Sequence, residues 1–155
     1  MAAIFPPIPR FIFTVCEPIS MVAGFLAAIV SPASFVADQL PNTPLHALTP
    51  NEYIIALQLG NVYLLIGFIG IAVLYTTTSA QVARRYLLVL LLGDIGHLAV
   101  TYHVMGRESF FDVTNWNAMA WGNICFTGAL FLARVAYLLG FLGEDREPGK
   151  KAKAQ

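Results

Sequence analysis

Charge is scarce in this 155-residue chain. Lysine, arginine, aspartate and glutamate make up 12% of it, where a soluble domain carries about a quarter. Nine basic residues cancel nine acidic ones, and the only concentrated basic stretch is the last few residues. There is no positive face to hold nucleic acid. Cysteine is nearly absent. Cys16 and Cys125 both sit in apolar runs with no C-x-x-C pair, so they read as membrane-embedded thiols rather than a disulfide or a metal site. Three histidines spread over loop, helix and helix end make no metal site either. A G-x-G-x-x-G turn, a P-loop, an Asp-rich prenyl-diphosphate motif, a haem-type histidine pair and a Ser-His-Asp pattern are all missing. No cofactor is called for.

What is present is hydrophobicity, at 57% of residues and a mean hydropathy of +0.68. Four runs, Ile8–Val30, Tyr53–Tyr75, Val82–Val104 and Ala118–Phe141, each supply the roughly 20 helical residues that cross a hydrocarbon core of about 30 Å. The fold class expected is all-α, a bundle of four transmembrane helices over residues 1–143, with a polar, disordered tail over 144–155. The first run is too long and too polar at Glu17-Pro18 for a signal peptide, and it lacks a basic leader, so a retained anchor is expected.

Arg10, Arg84, Arg85, Arg146, Lys150, Lys151 and Lys153 flank one side of this layout and only Arg107 the other. The positive-inside rule then puts both termini and the 76–81 loop in the cytosol. Lys151 and Lys153 look like a dilysine retrieval signal, which favours the endoplasmic reticulum. The 31–51 segment, rich in Pro, Ser, Thr and Asn, is expected to be a loop over the lumenal end, with Asn51-Glu52 starting the second helix. Asp112 or Thr114 is expected to cap the fourth helix, and Trp116 and Trp121 suit the interfacial aromatic belt. Gly60, Gly67, Gly70, Gly93, Gly96, Gly122 and Gly128 would allow close helix contact.

Against that apolar background, four ionisable side chains fall inside the runs: Glu17, Asp94, His97 and Arg134. Each costs about 2.5–3.5 kcal/mol at a helix centre, so such residues face the bundle interior and pair. Counted inward from the cytosolic ends, Glu17, Asp94 and Arg134 lie at roughly 10–15 Å and can meet in one layer. His97 and Asn61 come at roughly 20 Å, with Gln58 and Asn123 beyond. Asp94 and His97 share a face at i, i+3, and Asn123 and Arg134 return to nearly one face. A polar ladder along the bundle axis is the expectation. The bland alternatives are an Arg134 that snorkels to the surface, a Glu17 that caps backbone freed by Pro18, and a purely structural network.

Such a ladder suits acid–base chemistry on a lipophilic substrate. Burial would keep Glu17 a proton donor while Arg134 keeps Asp94 ionised as a base. Glu17, Asp94, His97 and Arg134 are the candidate catalytic residues. Asn61, Asn123, Gln58, Trp121, Tyr102, Asp112 and Asn115 are candidates for substrate contact, although Tyr102 also suits an interfacial anchor and Asp112 and Asn115 a cap. Phe11, Phe13, Phe25, Phe68, Phe126 and Phe131 offer apolar walls, or ordinary packing.

The elements Glu17-Pro18-Ile19-Ser20, Gly93-Asp94-Ile95-Gly96-His97 and the block from Asp112 to Asn123 resemble a family of small four-helix fungal membrane proteins, mostly without an assigned function. Some similar proteins belong to natural-product pathways in which epoxides of polyene polyketides, of the citreoviridin or aurovertin kind, are opened by water or internal hydroxyls. The resemblance implies an epoxide hydrolase or cyclase, with a lipophilic small molecule and the bilayer as partners and a homo-oligomer as an option. The rivals are a protonation-initiated terpenoid cyclase or sterol-isomerase-like enzyme, and a non-enzymatic lipid-binding or assembly protein.

Overall fold

The computed structural model describes residues 4–146. Lys150, Lys151 and Lys153, and with them the retrieval signal, lie outside the described residues. Among the described residues every regular element is helical. Four helices are long and apolar enough to cross a membrane: Pro7–Val30 (α1), Pro50–Thr76 (α3), Ala80–Phe111 (α4) and Ala118–Leu138 (α5). A short helix, Pro32–Ala37 (α2), follows α1 directly.

Local chemistry sets the helix ends. α3 starts earlier than Asn51-Glu52 alone suggests. Thr49 caps it, with Pro50 in the first turn and Glu52 completing a capping box: Glu52 Oε2 accepts from the Thr49 backbone N–H at 2.8 Å, and Thr49 Oγ1 accepts from the Glu52 N–H at 3.3 Å. Two orphan donors are thereby satisfied. Ser79 caps α4. That helix breaks at Gly106, whose φ of 75° is open only to glycine at low cost. The cap of α5 is Asn117, which accepts from the Ala120 N–H at 2.8 Å, and neither Asp112 nor Thr114. Those two residues instead pair with each other in the preceding turn.

The 31–51 segment departs from a plain loop. Pro32 opens α2, and Phe35 and Ala37 are buried. Phe35 packs with Ala28 and Ala56 into one of two small cores. The other lies at the end that carries the termini and joins Phe5, Phe13, Leu74, Ala83, Leu87 and Tyr137 from all four long helices and the N-terminal segment. The first residues of the expected tail are also held. Asp145 accepts from Arg84 Nε at 2.7 Å and from the Tyr137 hydroxyl at 2.5 Å, and the Arg146 N–H donates to the Ile4 carbonyl at 2.7 Å. Composition alone suggested disorder from 144 onward; a salt bridge and a backbone bond order 145–146.

The glycines divide into two sets. A Cβ at Gly60 would stand 2.8 Å from the Ala28 Cβ, and one at Gly67 would stand 3.3 Å from the Met21 Cβ, so α1 and α3 approach closely. Gly93, Gly96, Gly122 and Gly128 meet nothing within 4 Å, so the expected close contacts at these four do not form. Gly60→Leu is expected to wedge α1 from α3 and cost about 1–3 kcal/mol, the usual penalty for overpacking. Gly96→Leu should cost far less, because the space around Gly96 is open. Denaturant midpoints of the two variants in micelles check this, and equal midpoints would overturn it.

Candidate functional site: a buried Glu-Arg-Asp trio

Proline makes the first part of the site. Pro18 has no N–H, so the Thr14 carbonyl loses its ordinary helical donor. The chain answers with a π turn over Ile12–Cys16, in which the Glu17 N–H reaches back to Ile12. The Tyr75 hydroxyl of α3 donates to the Thr14 carbonyl at 3.0 Å. The backbone freed by Pro18 is thus served from the neighbouring helix. The Glu17 side chain is free to turn inward.

Inward it meets Arg134 of α5. One guanidinium nitrogen, Nη2, donates to Glu17 Oε1, and the other, Nη1, donates to Asp94 Oδ2 of α4. Three side chains from three helices therefore close into one charged knot, in the layer that counting along the helices anticipates. Arg134 is 1% exposed, Glu17 6% and Asp94 8%. An arginine that snorkels keeps its head in water, and 1% exposure rules that out here. The guanidinium carbon also sits 5.7 Å from the centre of the Phe13 ring, within cation–π range.

Arg134 stands beside Asp94 as expected and bridges it to Glu17 as well. What distinguishes them is the remaining oxygen. Among the described residues Glu17 Oε2, Arg134 Nε and His97 Nε2 are buried without a hydrogen-bond partner. Native proteins leave few such atoms, and each of these three can take one further hydrogen bond. Glu17 lines a void of about 10 Å³ with Phe13, Met21, Gly67, Gly70 and Tyr86, room for about one water molecule. Tyr86 was not anticipated, because it lies about two turns before Asp94 and a lone tyrosine in an apolar run gives no sequence signal. Its hydroxyl is directed at Gly70, where a Cβ would come within 2.8 Å of it.

Asn123 belongs to the second part of the site. It sits in another π turn, Trp121–Phe126, lies beside the His97 imidazole and donates to Gln39 Oε1 at 3.2 Å. Single π turns inside helices recur at functional sites, and this chain has one before Glu17 and one around Asn123. Among the described residues no group of three His, Cys, Asp or Glu side chains is placed to hold a metal ion, and Cys16 and Cys125 are free thiols.

The other candidates for substrate contact do not join this cluster. Gln58 and Asn61 are exposed on α3, while the buried face of that helix, turned to α1 and α4, carries Ala56, Gly60, Gly67, Gly70 and Leu74. Helical phase places the two amides opposite that buried face, so they leave the expected ladder. Tyr102 is 42% and Trp121 48% exposed. Tyr102 packs its ring 5.2 Å from Phe110, and Trp121 packs 5.2 Å from Trp116.

Asp112 and Asn115 border a separate cleft of about 270 Å³, with Asn42, Thr43, Val104 and Ser109 among its walls. That cleft lies around the break at Gly106, itself roughly 18 Å along α4 from Asp94. The Thr114 hydroxyl and the Asn115 amide each donate to Asp112 at 2.6 Å, and these bonds hold its carboxyl below the ordinary aspartate range. A carboxyl lowered in the folded state stabilises above its unfolded value of about 3.9 and loses that contribution as pH falls through the lowered one. The turn is therefore expected to loosen under acid. Trp116, whose indole donates to the Ser109 carbonyl at 3.1 Å, reports it: tryptophan emission should shift below about pH 4, and Asp112→Asn should abolish the shift. An identical acid shift in Asp112→Asn would overturn this.

Comparison with family models matches a domain of unknown function, DUF7704, over residues 2–144. The chain belongs to the DUF7704 family. Neither the comparison with curated proteins nor that with solved structures gave a match. The DUF7704 match spans α1 to α5, and hence all three members of the trio.

Proposed function

We propose that this protein is a membrane-embedded acid–base enzyme that opens epoxides of a lipophilic, polyketide-type substrate, by hydrolysis or by closure to a cyclic ether. The observation that carries the reading is the Arg134-bridged pair of buried carboxyls with Glu17 Oε2 left free. One arginine against two carboxylates leaves one negative charge in excess, and hydrocarbon favours the neutral form, in which the pair holds one proton. A proton donor and a base are then present together. Epoxide opening requires both: a proton delivered to the epoxide oxygen as its C–O bond breaks, and a base that takes the proton of the attacking water or hydroxyl.

Glu17 is assigned as the donor and Asp94 as the base, with Arg134 holding the negative charge between them. His97 and Asn123 would orient the attacking hydroxyl. The substrate class is proposed from the resemblance of the Glu17–Ser20, Gly93–His97 and Asp112–Asn123 elements alone, and residence in the endoplasmic reticulum with both termini cytosolic belongs to the same proposal. The second reading, a non-enzymatic assembly protein, is favoured by the small void beside Glu17: a substrate must part the helices to reach the trio. The deciding experiment is co-expression in a fungal host that makes a polyene polyepoxide, with product mass and NMR as the readout. A hydrated or ring-closed product made by the wild type and lost in an equally abundant Asp94→Asn variant is expected. An unchanged epoxide beside folded wild type would overturn the assignment for this substrate class.

A further inference from the structure

The outward amides of α3 have no role in the trio. Asn61 lies two residues and Gln58 five residues from Tyr63, the midpoint of Pro50–Thr76, so they sit about 3 and 8 Å from the helix centre. Both depths are well inside a core that extends about 15 Å to either side. Both side chains are exposed, and among the described residues neither has a hydrogen-bond partner. Lipid tails provide no donor or acceptor, and an asparagine side chain is too short to reach the interface from mid-membrane. Two primary amides left open to hydrocarbon are costly, and association through amide hydrogen bonds relieves that cost.

We infer that this face of α3 is the contact between two copies of this chain in the membrane. An amide is donor and acceptor at once, so Gln58 and Asn61 are complementary to themselves across a two-fold axis, as an isologous interface requires. Two copies inserted with the same topology bring their α3 helices together in parallel, with the amides at matching depth. Leu65 and Phe68, 52% and 58% exposed, continue the face below them and pack in the same contact. The opposite face of α3 is committed to α1, so dimerisation leaves the helix packing and the trio of each copy unchanged.

The test is energy transfer between donor- and acceptor-labelled full-length protein in liposomes, followed as lipid dilutes the protein. Wild type is expected to transfer energy in a concentration-dependent way that fits a dimer. The double variant Gln58→Leu, Asn61→Leu is expected to weaken the dimer about tenfold, from the few hydrogen bonds lost. Its helix content should stay unchanged, because neither side chain bonds to the rest of its own chain. Exchanging the amides as Gln58→Asn, Asn61→Gln should retain the dimer, which separates hydrogen bonding from shape. A wild type that stays monomeric over the whole dilution range would overturn the inference and leave the face to a different partner or to substrate. A dimer unaffected by the double leucine variant would overturn it as well.

Discussion

Arg134→Met is expected to be the most destabilising single substitution in the chain. Arg134 is the shared partner of two carboxyls that are almost wholly buried. Removing it leaves Glu17 and Asp94 facing each other in hydrocarbon with no counter-charge. Taking one member from a buried ion pair typically costs about 3–5 kcal/mol, because the charge left behind is neither solvated nor compensated. That sum is a large fraction of a typical fold's stability. Unfolding of the purified protein by denaturing detergent, followed by helix content, measures it.

The same physics supplies the internal control. Glu17→Gln, Asp94→Asn and Arg134→Met combined remove all three ionisable groups, and buried ionic clusters replaced by neutral groups of similar volume often cost little. The triple variant should therefore recover most of the stability that Arg134→Met loses. A triple variant as unstable as the single one would mean that the loss comes from packing around Phe13 rather than from charge. An Arg134→Met protein as stable as the wild type would remove the trio from any account of the fold.

The second large effect is on chemistry. Glu17→Gln and Asp94→Asn each keep an acceptor oxygen for their own guanidinium nitrogen, so both should assemble. Each deletes one of the two groups that epoxide opening needs, and positioned acid–base catalysis contributes about 10²–10⁴-fold in rate. Turnover of a polyepoxide in membranes carrying equal amounts of folded protein should fall by that factor in either variant. The double variant should fall little further, since the pair acts as a unit. Full activity in a folded Asp94→Asn protein would eliminate the acid–base reading. A loss matched by lost helix content would return the trio to a purely structural role.

The trio is largely legible in the sequence. An ionisable side chain in an apolar run is expensive enough that partners can be sought by depth alone, and depth follows from the helical rise. Counting inward brings Glu17, Asp94 and Arg134 to one layer, and there they meet. The same counting put Gln58 and Asn61 in the ladder, and they lie on the outer face instead, because depth says nothing about azimuth. α3 carries apolar residues on every face, and only packing reveals that its Ala56, Gly60 and Gly67 side faces α1. The cap of α5 was misplaced for a local reason: Asp112, Thr114 and Asn117 are all good caps, and the first two are occupied by each other.

The sequence by itself determined that this is an all-α chain with four helices long and apolar enough to span a bilayer, because length and hydropathy are sums over consecutive residues. It also singled out the costly charges. Only the tertiary structure decided that Arg134 serves both carboxyls, that Tyr75 relieves the backbone freed by Pro18, that Tyr86 borders the void beside Glu17, and that two amides point away from the bundle. Each of these depends on the rotation of one helix against another. That rotation is set by steric fit between small and large side chains on different segments, and in this chain by two π turns that shift the helical phase, so no single run of residues contains it.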